Sequence, residues 1–227
     1  MFQAKEEGGN AICFFDPAWQ AMVSECAKLL RELREAIHQH QFELYYQPQL
    51  DADGVVIGAE ALVRWNHPVR GVVSPIEFIP LAEQNGLILA LGHEVLELGL
   101  KQLKAWQQVE PCRQLKLSIN LVPEQFYEDG FANGLRAQLK ELGIDPNLLM
   151  LEFTESTLMD NLELARINMQ KLSEIGVHFA IDDFGTGYSS LTYLSQLPLD
   201  MLKIDQSFVR NLGVKHKDAA IVRTIID

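Results

Sequence analysis

From Phe42 onward the chain alternates between two hydrophobic rhythms. Segments with period-two alternation predict strands: "FELYYQPQL" (42–50), "VVIGAEALVRW" (55–65), "LKLSINL" (115–121), "LLMLEFTE" (148–155), "VHFAIDDF" (177–184) and "LDMLKID" (199–205). Between them lie stretches that predict helices: "SPIEFIPLAEQNG", "GHEVLELGLKQLKAWQQ", "GFANGLRAQLKELG" and "NLELARINMQKLSEIG", with "KDAAIVRTIID" at the end. Gly143 and Gly176 stand where helices stop. Strands that take turns with helices imply βαβ units, hence a parallel sheet or a (β/α) barrel. The first two strands are joined by "DADG", a hairpin-type turn, so that pair is expected to be antiparallel.

Ahead of this lies "AWQAMVSECAKLLRELREAIHQHQ", where Val23, Cys26, Leu30, Leu33 and Ile37 recur at three- and four-residue steps on one helical face. Such a helix either packs on its own domain or serves as an interdomain or dimerising element. Residues 1–19 read differently. "AKEEGGN" is a charged helix end with a glycine stop, and "AICFF" is a short strand closed by Asp16-Pro17 with nothing nearby to pair with. The expected division is the tail of a preceding domain over 1–19, a linker helix over 20–40 and one large domain over 41–227.

Composition narrows the setting. The 227 residues are 48% hydrophobic, enough for a substantial core. The longest apolar candidate, Leu87 to Leu100, is broken by His93, Glu94 and Glu97, so no membrane segment is expected. There is no secretory pattern. Cys13, Cys26 and Cys112 form neither a disulfide framework nor a CxxC pair, which favours the cytoplasm. A net charge of −12 excludes long nucleic acid as a partner. It leaves room for a small anionic ligand where metal ions reverse the local sign.

The chemistry sits on the strands. Side chains at i, i+2 and i+4 share a face. Each strand has one apolar face, and the other carries a polar group near the C-terminal end: Glu60, Asn120, Glu152, Asp182 and Lys203. In a (β/α) barrel these positions meet at the mouth. A lone charge on a strand is usually solvated or ion-paired, whereas five at equivalent places point to a shared site. Carboxylates held together repel and lose hydration, and hard divalent cations, Mg²⁺ or Mn²⁺, resolve this with oxygen ligands. The adjacent Asp182 and Asp183 suit two ions, as in in-line displacement at phosphorus. Strict alternation points Asp183 away from Asp182, so it joins the site only if the backbone turns, which Gly185 and Gly187 would permit. Lys203 would orient a water or stabilise phosphoryl oxygens, or else pair with Asp205 or Glu152. Arg64, on the Glu60 face, suits a phosphate. His67 in "NHP" has no partner at metal-ligand spacing and reads as a loop histidine.

Taken together, "YYQPQLD", "GAEALVRWNHPVRGVVSPIEFIPLAEQNGLI", "LSINL", "LEFTES", "IDDFGTGYSSLTYL" and "LKIDQSFV" resemble an EAL domain over roughly Phe42 to Asp227. The resemblance implies a TIM-like (β/α) barrel with one antiparallel strand, and hydrolysis of cyclic di-GMP to linear pGpG with two Mg²⁺ or Mn²⁺ ions. It implies that Glu60, Asn120, Glu152 and Asp182 bind the first metal, that Asp183 serves the second and that Lys203 positions the water. Glu155 would steady the "DFGTG" loop, and Gln47, Leu62 and Arg64 match positions that contact the dinucleotide. "MFQAKEEGGN" resembles the end of a GGDEF domain, implying a tandem parent protein whose own GGDEF domain is a partner, with a homodimer as a further expectation. An EAL domain continues through two more strands, with "AEGVE"-like and "QGY"-like motifs that the chain lacks. About six of eight strands are therefore expected, in a piece of a longer protein that is inactive by itself. The competing readings are a non-catalytic module that binds the dinucleotide or regulates, and an unrelated metal-dependent barrel hydrolase.

Overall fold

The structure, a computed structural model, describes residues 17–154, 158, 161–185, 196–210 and 222–223. Helix α1 (Pro17–His38) leads into the hairpin β1 (Phe42–Leu50) and β2 (Val56–His67), followed by a short β3 (Gly71–Val73). Helices α2 (Pro75–Gln84) and α3 (Ile88–Trp106) precede β4 (Lys116–Asn120). Then come α4 (Pro123–Phe126), α5 (Phe131–Leu142), β5 (Leu149–Thr154), α6 (Leu162–Ser173), β6 (His178–Phe184), β7 (Met201–Ile204) and α7 (Gln206–Arg210). Of the last expected helix, Val222 and Arg223 are described, and both are helical.

All the strands share one sheet in the order β1-β2-β4-β5-β6-β7, with β3 on β2. The β1–β2 pair is antiparallel, as its turn predicts. Asp51 Oδ1 accepts the backbone N–H groups of Asp53 and Val55 at 3.0 and 2.9 Å, which closes that turn. From β2 to β7 the main path is parallel, and helices carry the connections from β2 as far as β6. Alternation decides what is buried where. The outward residues Leu117, Ile119, Leu151, Phe179 and Ile181 are fully buried and form the core with the apolar stripes of α3, α5 and α6. Gly143 ends α5 at φ 63°, a left-handed position where a side chain would be strained.

The stripe on α1 divides in two. Leu33 and Ala36 are buried, and Leu29, Leu30 and Ile37 pack against the core, whereas Val23 and Cys26 are exposed. The second half of this helix therefore packs on its own domain. Of residues 1–19, read as the tail of another domain, 1–16 lie outside the described residues, and 17–19 form the first turn of α1 instead.

His67 is not a loop residue. It ends β2, is buried, and its Nδ1 accepts the backbone N–H groups of Val69 and Arg70 at 3.1 and 3.2 Å. Its Nε2 faces Glu32 of α1 at 3.4 Å, and its ring leans on Trp65. The spacing test applied to metal ligands misses this role, because the partners are backbone groups in a turn that sequence pattern did not predict. The strand β3, which that turn feeds, went unpredicted for the same reason: three residues are too few to show a period.

Candidate active site

The parallel register lines up the inward residues. Glu60 pairs with Ser118, Asn120 with Glu152, and Thr154 with Asp182. The polar groups thus rise stepwise across neighbouring strands and converge. The Lys203 ammonium on β7 reaches Glu60 Oε2 and Glu152 Oε2 at 2.7 Å each and Asp182 Oδ2 at 3.2 Å. Asn120 donates from Nδ2 to Glu60 Oε1 at 3.1 Å. The structure therefore brings all five of these polar side chains together.

Electrostatics follows from burial. Glu152 is completely buried, and loss of hydration pushes its carboxyl above the ordinary range, with Lys203 pulling the other way. The same carboxylates reverse the effect of burial on Lys203 and raise its pKa, so the ammonium stays charged throughout the physiological range. One ammonium faces three carboxylates whose oxygens lie within 4.8 Å of one another. Among the described residues the cluster is under-neutralised, its donors are hard oxygens, and the amide of Asn120 stands beside it. That donor set fits Mg²⁺ or Mn²⁺ and does not resemble a zinc site.

A bulge turns the backbone at Asp183, which is exposed. Ile181 pairs with Leu202 but Phe184 with Ile204, so β6 carries one extra residue opposite Lys203. Asp183 itself takes φ 52°, a left-handed conformation that aspartate tolerates better than most, and its N–H bonds to Asp182 Oδ1 at 3.0 Å. The turn therefore begins at Asp183 rather than in the glycines after it. Burial, the Asp182 charge and contact with Asp205 raise the Asp183 carboxyl, and Lys203 lowers it. Asp205, which alternation places on the Lys203 face, is thereby a neighbour of Asp183.

The expected substrate contacts lie on β1 and β2. Gln47 stands opposite Glu60 in the antiparallel register and is exposed. Arg64 lies over the Tyr45 ring at 5.3 Å and donates to the Val63 carbonyl at 2.8 Å. Leu62 and Arg64 line a cavity of about 420 Å³ that also meets Asn120, Glu152 and Thr154 and is walled by Ile79, Ile88, Leu91 and Val95. The helical wall from α2 and α3 was not anticipated, since period alone does not say which face of a helix borders a cavity. Glu155 lies outside the described residues, as do Gly187 and the rest of the "GTGYSS" loop beyond Gly185.

The EAL domain profile matches residues 30–227. The chain belongs to the EAL family. This EAL chain is 41% identical, over all of its 227 residues, to the bifunctional diguanylate cyclase/cyclic di-GMP phosphodiesterase MucR of Pseudomonas aeruginosa, covering 33% of that protein. It is 37% identical over 226 residues to the cyclic di-GMP phosphodiesterase PdeR of Escherichia coli K12, covering 34% of it. The chain thus spans about a third of the length of these relatives. Among solved structures, the PaMucR phosphodiesterase in complex with c-di-GMP superimposes with a TM-score of 0.81 at 42% identity, covering 88% of this chain and 81% of that one. The family match begins at residue 30, inside α1, where the helix starts to pack on the core. The fold is that of EAL domains, a TIM-like barrel architecture, here with a mostly parallel sheet. Among the described residues β1 and β7 each pair on one side only. No helix among them is long and apolar enough to cross a membrane.

Proposed function

We propose that the EAL domain to which this chain belongs hydrolyses cyclic di-GMP to linear pGpG. The observation that supports this best is the gathering of Glu60, Glu152 and Asp182, from three strands, on the single ammonium of Lys203 beside a cavity of about 420 Å³. The relatives MucR and PdeR are named for this activity, and the PaMucR structure is a complex with c-di-GMP.

In this reading Glu60, Asn120, Glu152 and Asp182 hold one divalent ion, and Asp183 serves a second. When bound, Mg²⁺ or Mn²⁺ supplies Lewis-acid charge at the phosphoryl oxygens and a water acidic enough to attack near neutral pH. The chain's own groups do the rest. Lys203 keeps its proton, so it orients the water and offers positive charge to the phosphate instead of acting as a base. Arg64 contributes a planar donor for phosphate, while Gln47 and Leu62 place the dinucleotide against β1 and β2. Glu155 steadies the loop that follows Asp183. The segment read as 1–19, less the three residues that open α1, is the tail of a GGDEF unit in the same cytoplasmic parent protein. The exposed Val23 and Cys26 of α1 are where that unit, or a second copy in a homodimer, makes contact.

The test uses the whole parent protein, with cyclic di-GMP and pGpG separated by chromatography. Turnover is expected with Mg²⁺ or Mn²⁺ and is expected to vanish after chelation. Asp182→Ala should lower it by at least about a hundredfold without lowering the melting temperature. Tight binding of cyclic di-GMP by the wild type without hydrolysis replaces this reading with a sensor module.

A further inference from the structure

One layer below Glu152, the inward face holds a further polar group. Ser118 is fully buried on β4, level with Glu60 on one side and Met150 on the other. Glu152 stands two residues beyond Met150 on the same face of β5. Gln49 belongs to β1, two strands away, yet its amide contacts the Ser118 hydroxyl, Nε2 to Oγ at 3.2 Å. It gets there because it is close to Gly58 of β2, which has no side chain in the way. A Cβ added at Gly58 would stand 2.7 Å from the Lys116 carbonyl oxygen and 3.2 Å from Gln49 Oε1. The β2 backbone is thus left bare where the glutamine crosses it.

Gln49 Oε1 also lies 3.4 Å from Ser118 Oγ, and the shorter contact makes the amide the donor. The Ser118 hydroxyl then keeps its own proton to give. Among the described residues one group nearby lacks a donor: Glu152 Oε1 is buried without a hydrogen-bond partner, while Oε2 of the same carboxylate is held by Lys203. A buried carboxylate oxygen left unpartnered is costly, and a small rotation of the hydroxyl satisfies it.

We propose that Gln49 and Ser118 form a positioning relay for Glu152, in which the amide donates to the hydroxyl and the hydroxyl donates to Oε1. The relay fixes the carboxylate plane from below and presents Oε2 to the mouth. It rests on the reading of Glu152 as a metal ligand, and neither Gln49 nor Ser118 touches the reacting atoms. The hydroxyl also counts among the influences that hold the Glu152 carboxyl down against burial.

The test measures Mn²⁺ binding to the whole parent protein by the electron paramagnetic resonance signal of free Mn²⁺, alongside thermal melting and turnover. Ser118→Ala is expected to weaken Mn²⁺ about tenfold, the usual scale for a hydrogen bond to a charged group. Half-activation should move to higher Mn²⁺ while kcat at saturating metal stays near that of the wild type. Gln49→Leu, at a half-buried position, should weaken Mn²⁺ by about threefold, because the hydroxyl remains but is no longer directed. Wild-type Mn²⁺ affinity in folded Ser118→Ala overturns the relay. Should that variant fail to fold, wild-type affinity in Gln49→Leu overturns it instead. A wild-type protein that binds no Mn²⁺ at all overturns the underlying metal reading, whatever the variants do.

Discussion

Leu151 and Glu152 are neighbours in sequence, both completely buried, and they live in different chemical worlds. Leu151 points outward under the helices with Leu117, Ile119, Phe179 and Ile181. Glu152 points inward to an ammonium and two further carboxylates. The contrast runs the length of the sheet, because the pleat sends alternate residues to opposite faces. The outward face lowers the free energy of the fold. The inward face raises it, since charges are taken from water and crowded together, and in exchange it gathers an acidic cluster whose oxygens could hold a metal ion. Substitutions on the two faces should therefore fail in opposite ways.

The largest stability effect is expected on the outward face. Phe179 is fully buried and stacks on Phe153 with ring centres 6.0 Å apart. Phe179→Ala should lower stability by about 3–5 kcal/mol through lost burial and the cavity left behind. Urea unfolding would measure this. Turnover per folded molecule should stay within about threefold, the mirror image of Asp182→Ala, which should keep its fold and lose its chemistry. A Phe179→Ala protein that unfolds at the wild-type midpoint would mean that the two faces are not divided in this way.

Alternation is why so much of this was legible. Period two assigned Glu60, Asn120, Glu152, Asp182 and Lys203 to one face before any contact was known, and the structure brings them together. What period cannot supply is register. Ser118 shares a strand face with Asn120, but its contact with Gln49 depends on β1 pairing with β2 so that Gln49 stands opposite Gly58. Asp183 was the marginal case. Alternation sends it away, and a bulge, which alters the count on one strand and not on its neighbour, turns the backbone there. His67 was missed for a third reason: its partners are two backbone N–H groups and a glutamate 35 residues upstream, and none of these leaves a spacing signature.

His67 sharpens the comparison, because it is buried and polar yet lies outside the metal cluster. It acts as a fastener between the β2–β3 turn and α1. His67→Ala strands two backbone donors and removes a ring packed on Trp65, so a loss of about 2 kcal/mol is expected. Hydrogen exchange should rise at Val69 and Arg70 while the half-activating metal concentration is unchanged. If metal activation shifts instead, His67 belongs functionally with the inward face.

The smallest effect concerns Glu94, a buried carboxyl on α3 that neither face claims. Its Oε1 meets His40 Nδ1 at 3.1 Å, and its Oε2 is buried without a hydrogen-bond partner. Burial raises its pKa, Glu97 adds to the rise, and His40 and Lys101 oppose it. A carboxyl whose folded pKa lies above its unfolded value of about 4.3 binds more protons in the folded state. It therefore takes stability away as pH climbs through that window, and the loss is complete above the folded value. Glu94→Gln has no proton to lose, so it should unfold at higher urea than the wild type at pH 8 and at the same urea near pH 4. His40→Ala should do the reverse at pH 8, since the carboxylate loses the partner that offsets its burial. A Glu94→Gln protein less stable than wild type at pH 8 would mean that the bond to His40 outweighs the cost of burying the charge. Glu94 would then join the groups that hold the fold together, and the division drawn between apolar stability and polar function would need an exception at the turn where α1 meets the sheet.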